Sequence, residues 1–171
     1  MKRIAPLLAA LFLGLYWWMA TSVSDRQCTT GDEIAHLTAG YSYWTTDDYR
    51  LQPENGNLPQ RWAALPLLGM KLTFPRQDQT AWRVSDVWDL GFQWFYENGN
   101  DLAAMLRAGR GMIALLGVAT GALVFLWARR LHGDTGAVLA VALFAFCPTM
   151  LANGALITSD MTATLMFLAC V

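Results

Sequence analysis

The sequence predicts an all-α membrane protein, a polytopic helical bundle with a helical outer loop between its first two spans. Hydrophobic residues make up 55% of the 171 residues and charged residues only 15%, whereas soluble domains carry about 25% charged residues. The apolar residues are concentrated in a few long runs, while residues 24–110 have ordinary polarity. A helix that crosses a membrane needs about 20 apolar residues, so the longer runs are predicted to be spans.

Four apolar runs are predicted to form spans, at about residues 4–23, 111–128, 136–153 and 161–171. The last run is too short for a complete span, so we expect the chain to be the N-terminal part of a longer protein. The first run could instead be a signal peptide, because a basic start precedes it. Its length and its closing aromatic residues favour a retained span.

Two basic pairs, Lys2-Arg3 and Arg129-Arg130, predict the orientation. Short loops rich in lysine and arginine stay in the cytoplasm. Both pairs fall on that side if the first two runs each cross once. The outer loop, about residues 24–110, then lies outside, on the periplasmic face of the inner (plasma) membrane of a bacterium. Every acidic residue except Asp134 falls on this outer side.

The outer loop is predicted to contain a helix over residues 32–44. Apolar side chains recur there at helical spacing, at Ile34, Leu37, Tyr41 and Trp44. Thr30 and Glu33 have the spacing of a capping box, which would start this helix. A break is expected at 45–48, where Asp47 and Asp48 indicate a solvated turn.

The rest of the outer loop gives coarser predictions. Residues 51–60 are rich in turn formers and are expected to be loop. A second helix is predicted from Gln60 towards Lys71, limited by Pro66, and residues 101–110 are a helical lead-in. The aromatic residues between Trp82 and Tyr96 indicate either an interfacial belt or a surface that stacks on a sugar or holds a prenyl chain. Gly117 and Gly121 have the spacing of a helix-packing face.

Five polar residues are the candidates for chemistry: Asp32, Glu33, His36, Glu54 and Asp160. On a helix, Asp32 and Glu33 both lie within reach of His36, at i, i+4 and i, i+3. The macrodipole would favour the ionised form of an acid in the first turn. Structural alternatives remain open, because Glu33 completes a capping box, His36 fits a buried structural role and Asp160 fits an N-cap. An acid at the mouth of a span often marks a site.

The string at residues 32–44 (DEIAHLTAGYSYW), placed shortly after a first span, resembles the acidic motif of a glycosyltransferase family. This family, glycosyltransferase family 39 of the GT-C fold class, contains protein O-mannosyltransferases and lipid A aminoarabinose transferases. Residues 52–59 (QPENGNLP) match a later outer-loop string, but Asn55, Gly56 and Asn57 replace its His-Pro-Pro part. Further matches are ARRL at 128–131, CPTMLANG at 147–154 and TSDM at 158–161.

The resemblance implies a membrane enzyme that moves a hexosyl or pentosyl group from a polyprenyl-phosphate carrier to a protein, lipid or glycan acceptor outside the cytoplasm. It implies that Asp32 is the catalytic base with Glu33 as its motif partner. It also implies that Asp160 faces the same cavity, and we expect Asp160 and His36 to contact the substrate. Glu54 matches an acid that helps some members to hold a divalent metal ion. We expect the 171 residues alone to be inactive.

Other functional classes are weighed against this one. The formal net charge of −1 gives no reason to expect nucleic acid as a partner. The cysteines form no metal or redox motif. The runner-up is a non-catalytic membrane scaffold or binding protein whose acids are caps and solvated charges. A transporter is disfavoured, because the predicted spans carry no charge in their interiors.

Overall fold

The computed structural model of the chain describes residues 4–24 and 26–170, so the basic pair Lys2-Arg3 and the end of the run 161–171 lie outside the described residues. The described part is all-helical, 76% of it in helices, and contains no strand. Its α-helices are α1 (Ile4–Ser24), α2 (Gly31–Thr46), α3 (Asn57–Ala64), α4 (Thr80–Arg83), α5 (Val87–Phe92), α6 (Leu102–Ala145), α7 (Pro148–Asn153) and α8 (Asp160–Cys170). A 3₁₀ turn (Leu65–Gly69) follows α3, and a π-helical turn (Gln93–Glu97) follows α5.

The contacts between backbones divide the described chain into two compact units. The polar unit comprises residues 27–112 and 157–159, and thus holds α2 to α5 and the start of α6. The apolar unit comprises the described residues within 1–26, 113–156 and 160–171.

Helix α2 is the central element of the polar unit, and it confirms the helix predicted over 32–44. The Glu33 carboxylate accepts hydrogen bonds from the Thr30 backbone N–H (2.9 Å) and hydroxyl (3.1 Å), so the predicted capping box is present. The helix ends at Thr46, because Asp47 adopts a left-handed conformation (φ 53°) that stops helical hydrogen bonding. The predicted break at 45–48 is therefore confirmed.

Helices α2 and α3 cross closely at Gly40. A Cβ atom there would collide with the backbone carbonyl of Gln60, so only glycine permits this approach. Behind the crossing, α2, α4 and α5 bury one apolar cluster, with Phe74 packed against it. Its members are Ala35, Ala39, Tyr43, Leu51, Ala81, Trp82, Val87 and Leu90.

The prediction of loop over residues 51–60 is wrong in its last part. Helix α3 begins at Asn57, and Pro59 lies in its first turn. Proline is tolerated there because the first amides of a helix have no partner within the helix. Pro66 marks the change to a 3₁₀ turn, as expected of a residue that limits the helix.

The apolar unit contains two helices, α1 and α6, that are long and apolar enough to cross a membrane. Small residues of α1, such as Ala5 and Ala9, pack against α6. A Cβ atom at Gly117 would collide with the Tyr16 ring, and one at Gly121 would collide with Leu13. The predicted glycine pair is therefore a helix-packing face, where small residues allow two helices to approach.

Helix α6 is a helical hairpin that bends at Gly133, the only residue inside it with non-helical torsions (φ 70°, ψ −170°). Gly121 lies against the Phe144 ring, although a straight helix would place these residues about 35 Å apart. The predicted runs 111–128 and 136–153 are thus separate arms, joined by the predicted basic turn. One bound is wrong, because the second arm ends at Ala145 and Pro148 opens the separate helix α7. A residue that precedes proline is forced out of the helical region, and Cys147 is extended (φ −68°, ψ 120°).

Candidate functional site

The first turn of α2 holds two adjacent carboxylates in opposite environments. Glu33 is completely buried, whereas Asp32 is exposed. Successive side chains on a helix point about 100° apart, so the face that buries Glu33 turns Asp32 outward. In the described part of the chain, the Asp32 carboxylate makes no hydrogen bond or ion pair. It is therefore available to a ligand or to solvent.

Glu33 is held by Arg110 of α6 in a two-point ion pair. Arg110 donates from Nε to Oε1 and from Nη2 to Oε2 of Glu33, both at 2.7 Å. Only 1% of Arg110 is exposed. Its guanidinium also donates to the backbone carbonyls of Gln27 (3.2 Å) and Cys28 (3.0 Å). One buried arginine thus fixes both α2 and the chain that enters it.

The segment 157–159 completes this centre. The Ile157 N–H donates to Oε1 of Glu33 at 3.3 Å, and its carbonyl lies 3.0 Å from Nδ1 of His36. His36 is buried on the same side of α2 as Glu33. Glu33 and His36 therefore lie together, as their i, i+3 spacing predicts, and both hold a segment more than 120 residues further along the chain.

The surroundings of Glu33 favour its ionised form. Burial alone would raise the pKa of this carboxyl. The hydrogen bonds and charge of Arg110, together with the N–H groups of Thr30 and Ile157, outweigh burial and lower the pKa below its usual range. A buried carboxylate with this many donors is a fixed anion, and it is a weaker base than a solvated carboxylate.

Asp160 lies in the first turn of α8, within the apolar unit. It is exposed, and its backbone carbonyl accepts a hydrogen bond from Thr164 at 2.8 Å. The helix begins at Asp160, and its role as an N-cap stays a prediction. The convergence of Asp160 with Asp32 on one substrate cavity stays a prediction.

Glu54 is exposed on the turn before α3. A divalent cation is usually held by several oxygen or nitrogen ligands. Among the described residues, no three His, Cys, Asp or Glu side chains lie close enough to hold a metal ion. A single exposed glutamate does not make such a site, and metal binding by Glu54 stays a prediction.

Arg61 of α3 is oriented by two aromatic rings. Its guanidinium carbon lies 3.9 Å from the centre of the Trp44 indole, and its Nη1 donates to the Tyr49 hydroxyl at 3.0 Å. The Trp44 Nε1–H donates to the Arg61 carbonyl at 2.9 Å, which locks the pair together. No carboxylate pairs with Arg61 in the described part of the chain. A stacked arginine without an acid partner is suited to bind an anion.

The aromatic residues between Trp82 and Tyr96 separate into two sets. The rings of Trp82, Trp94 and Phe95 are buried and belong to the interior of the polar unit. The exposed set follows one face of α5 and the π-helical turn at i, i+4 and i+8, and comprises Trp88, Phe92 and Tyr96. Only the exposed set can form the belt or the stacking surface predicted above, and both interpretations stay predictions.

The sequence indicated Glu33 and His36 but not their partners. The partner of Glu33 is Arg110, in the first part of α6. The available signal was its position directly before an apolar run. Nothing in the pattern indicated that Ile157 would bond to Glu33, because a backbone amide has no signature in the sequence. No family model matches the chain, and no curated protein or solved structure shows significant similarity to it.

Proposed function

We propose that the chain is the N-terminal part of a membrane glycosyltransferase whose polar unit lies on the non-cytoplasmic side. Helix α1 and the first arm of α6 cross the bilayer, and the second arm returns with α7. The large apolar side chains on the outside of α1 and α6 support this arrangement, because lipid is the solvent that accepts them. Arg129 and Arg130 at the hairpin bend support a cytoplasmic bend.

The observation that carries the enzymatic proposal is the pairing of a free carboxylate with a fixed one. Asp32 is exposed at the start of α2, and its neighbour Glu33 is locked by Arg110 and two backbone amides. The buried anion anchors the helix end and so sets the position of Asp32. A general base requires this combination of accessibility and fixed position.

The reaction is the transfer of a sugar from a polyprenyl phosphate. An acceptor hydroxyl or amine attacks the anomeric carbon, a new bond to that carbon forms, and the bond from carbon to the phosphate oxygen breaks. Asp32 takes the proton of the acceptor, and the polyprenyl phosphate leaves with the bonding electron pair. General-base assistance of this kind is worth about 10²–10⁴-fold in rate.

Four arginines of the outer loop are candidates for holding the carrier phosphate, at positions 61, 83, 107 and 110. Arg110 is occupied by Glu33. Arg61 is held flat against Trp44 in the last turn of α2, about 18 Å along the helix from Asp32, which is too far for it to hold a phosphate on the carbon that the acceptor attacks. Arg83 and Arg107 remain as candidates for stabilising the negative charge that develops on the leaving phosphate.

Replacement of Asp32 in the native gene tests the proposal. Membranes with Asp32→Asn should transfer labelled sugar from a polyprenyl phosphate about 10²–10⁴-fold more slowly than wild type. Asp89→Asn is the matched control, because Asp89 is also an exposed acid in the first turn of a helix of the polar unit. Labelling of the exposed Cys28 with a membrane-impermeant maleimide checks insertion and orientation.

The alternative is a non-catalytic membrane scaffold or binding protein. It is favoured by the complete structural explanation of Glu33 as a cap and ion-pair partner. Equal transfer by wild type and Asp32→Asn membranes, with Cys28 labelled from outside in both, would support the scaffold and reject the base assignment. Failure of Cys28 to react from outside would instead reject the orientation.

A further inference from the structure

The first arm of α6 carries a groove near the Gly133 bend in which two kinds of chemistry meet. The groove has a volume of about 380 Å³ and is lined by Leu123, Leu126, Trp127, Arg129 and Arg130. Its floor is mostly apolar, and the two arginines lie at the end nearest the bend. A groove with an apolar wall and a cation at one end suits an amphiphilic molecule that has an apolar chain and an anionic head.

The two arginines have different roles. Arg129 donates from Nε to Oδ1 of Asp134 at 2.8 Å across the bend, and its guanidinium lies 5.9 Å from the centre of the Phe125 ring. Arg130 is exposed, and within the described residues it makes no ion pair or hydrogen bond. The charge of Arg129 is therefore largely balanced, whereas that of Arg130 is left for a ligand.

We propose that this groove binds one anionic glycerophospholipid of the cytoplasmic leaflet, with the phosphate at Arg130 and an acyl chain along Leu123 and Leu126. The proposal rests on the crossing of the bilayer by α6 that is proposed above, but not on sugar transfer. Basic pockets on the cytoplasmic side of membrane helices bind anionic head groups. Trp127 adds an indole, a side chain that favours the depth of the head groups.

A simpler role for Arg130 is to remain in the cytoplasm as an orientation signal, with its side chain reaching into water. The two roles of Arg130 differ in whether they require the groove. An orientation signal needs only the charge, whereas a lipid site also needs the apolar wall. A substitution that fills the groove without changing the charge therefore separates them.

The test is native mass spectrometry of the full-length protein released from nanodiscs of equal phosphatidylglycerol and phosphatidylcholine. Wild type should retain phosphatidylglycerol in preference. Arg130→Gln should lower this preference about fivefold, since one basic residue near a membrane surface is worth about that much, and Arg130→Lys should keep most of it. Leu126→Trp should lower it as well, because the larger ring fills the groove.

Two matched variants serve as controls. Leu139→Trp makes the same change at another exposed leucine of α6, and Lys71→Gln removes an exposed charge from the polar unit. Both should retain phosphatidylglycerol as wild type does. Equal retention of the two lipids by wild type, or an unchanged preference in Leu126→Trp, would overturn the proposal. A disulfide between two copies of Leu126→Cys would overturn it too, because a second chain would then occupy the face.

Discussion

The polar unit buries polar and charged side chains beside its apolar core, whereas the interior of the apolar unit is almost entirely apolar. The interior of the polar unit holds a charged pair, Glu33 with Arg110, and a hydrogen bond of 2.6 Å between the buried amides of Gln52 and Gln60. The interior of the apolar unit is packed with alanines and a few larger apolar side chains such as Tyr16, Ile113 and Val141, whereas many of its leucines face outward. Its outward residues include Leu7, Leu11, Leu139, Leu143 and Phe167.

The difference is the one expected if, as proposed, the polar unit lies in water and the apolar unit in lipid. Water drives large apolar groups inward, and the polar unit follows that rule with its buried Trp82 and Trp94. Lipid supplies no such drive, so helices in lipid associate through close packing of small residues such as Ala9 and Gly117. The comparison predicts that buried polar contacts contribute most to the stability of the polar unit. Close packing between helices should contribute most to the stability of the apolar unit.

The largest expected effect is the removal of the buried cation. Arg110→Leu should lower the free energy of unfolding by about 3–5 kcal/mol, because it leaves the Glu33 carboxylate buried without its partner. Denaturant titration of the protein in detergent micelles, followed by tryptophan fluorescence, measures this loss.

The control for Arg110 is Arg76, which pairs with Asp78 on the surface. Arg76→Leu should have a much smaller effect, because exposed ion pairs contribute little. The double variant Glu33→Leu with Arg110→Leu should recover part of the loss, since apolar side chains of similar size often replace a buried pair well. Equal losses for Arg110→Leu and Arg76→Leu would contradict the proposed importance of the buried pair.

An intermediate effect is expected at the helix-packing face of the apolar unit. Gly117→Ala should cost about 1–3 kcal/mol, because its Cβ atom would collide with the Tyr16 ring and force α1 and α6 apart. Gly14→Ala in α1 is the matched control, since nothing lies within 4 Å of a Cβ atom there. It should be neutral or stabilising by about 0.5–1 kcal/mol. The same titration in micelles compares the two variants. An unchanged free energy of unfolding in Gly117→Ala would show that close packing at this position does not determine stability.

The sequence predicted local structure well where the determinants were local. The capping pair Thr30 and Glu33 and the apolar stripe of α2 lie within 15 residues, and the helix was placed within two residues of its ends. Residues 57–60 were missed because their turn-forming composition also suits the first turn of a helix, where Asn57 and Pro59 are tolerated. The end of the second arm was missed because Pro148 fits either a kinked span or a new helix.

The site was predictable only in part. The spacing of Asp32, Glu33 and His36 at the start of α2 allowed them to be grouped, because residues three or four positions apart are neighbours on a helix. The partner of Glu33 lies 77 residues away and its amide donor 124 residues away. Such distant pairings are set by the packing of whole helices, which one sequence does not reveal.

The smallest expected effect is the dependence of stability on pH, and it sharpens the contrast between the two adjacent acids. The pKa of Glu33 lies below its ordinary value of 4.5 in the folded protein. The folded state therefore holds its proton less tightly than the unfolded state does. The stabilisation is fully present above about pH 4.5 and is lost as the pH falls through the folded pKa.

Denaturant titrations between pH 7 and pH 3 should thus show a decline in wild type that is reduced in Glu33→Gln. Glu33→Gln is less stable at pH 7, because it loses the ion pair, but it has no carboxylate at this position to protonate. Asp32→Asn is the matched control, because it leaves the ion pair of Glu33 with Arg110 in place, and most of the decline should remain. Equal pH dependence in wild type and Glu33→Gln would mean that another group controls the acid sensitivity.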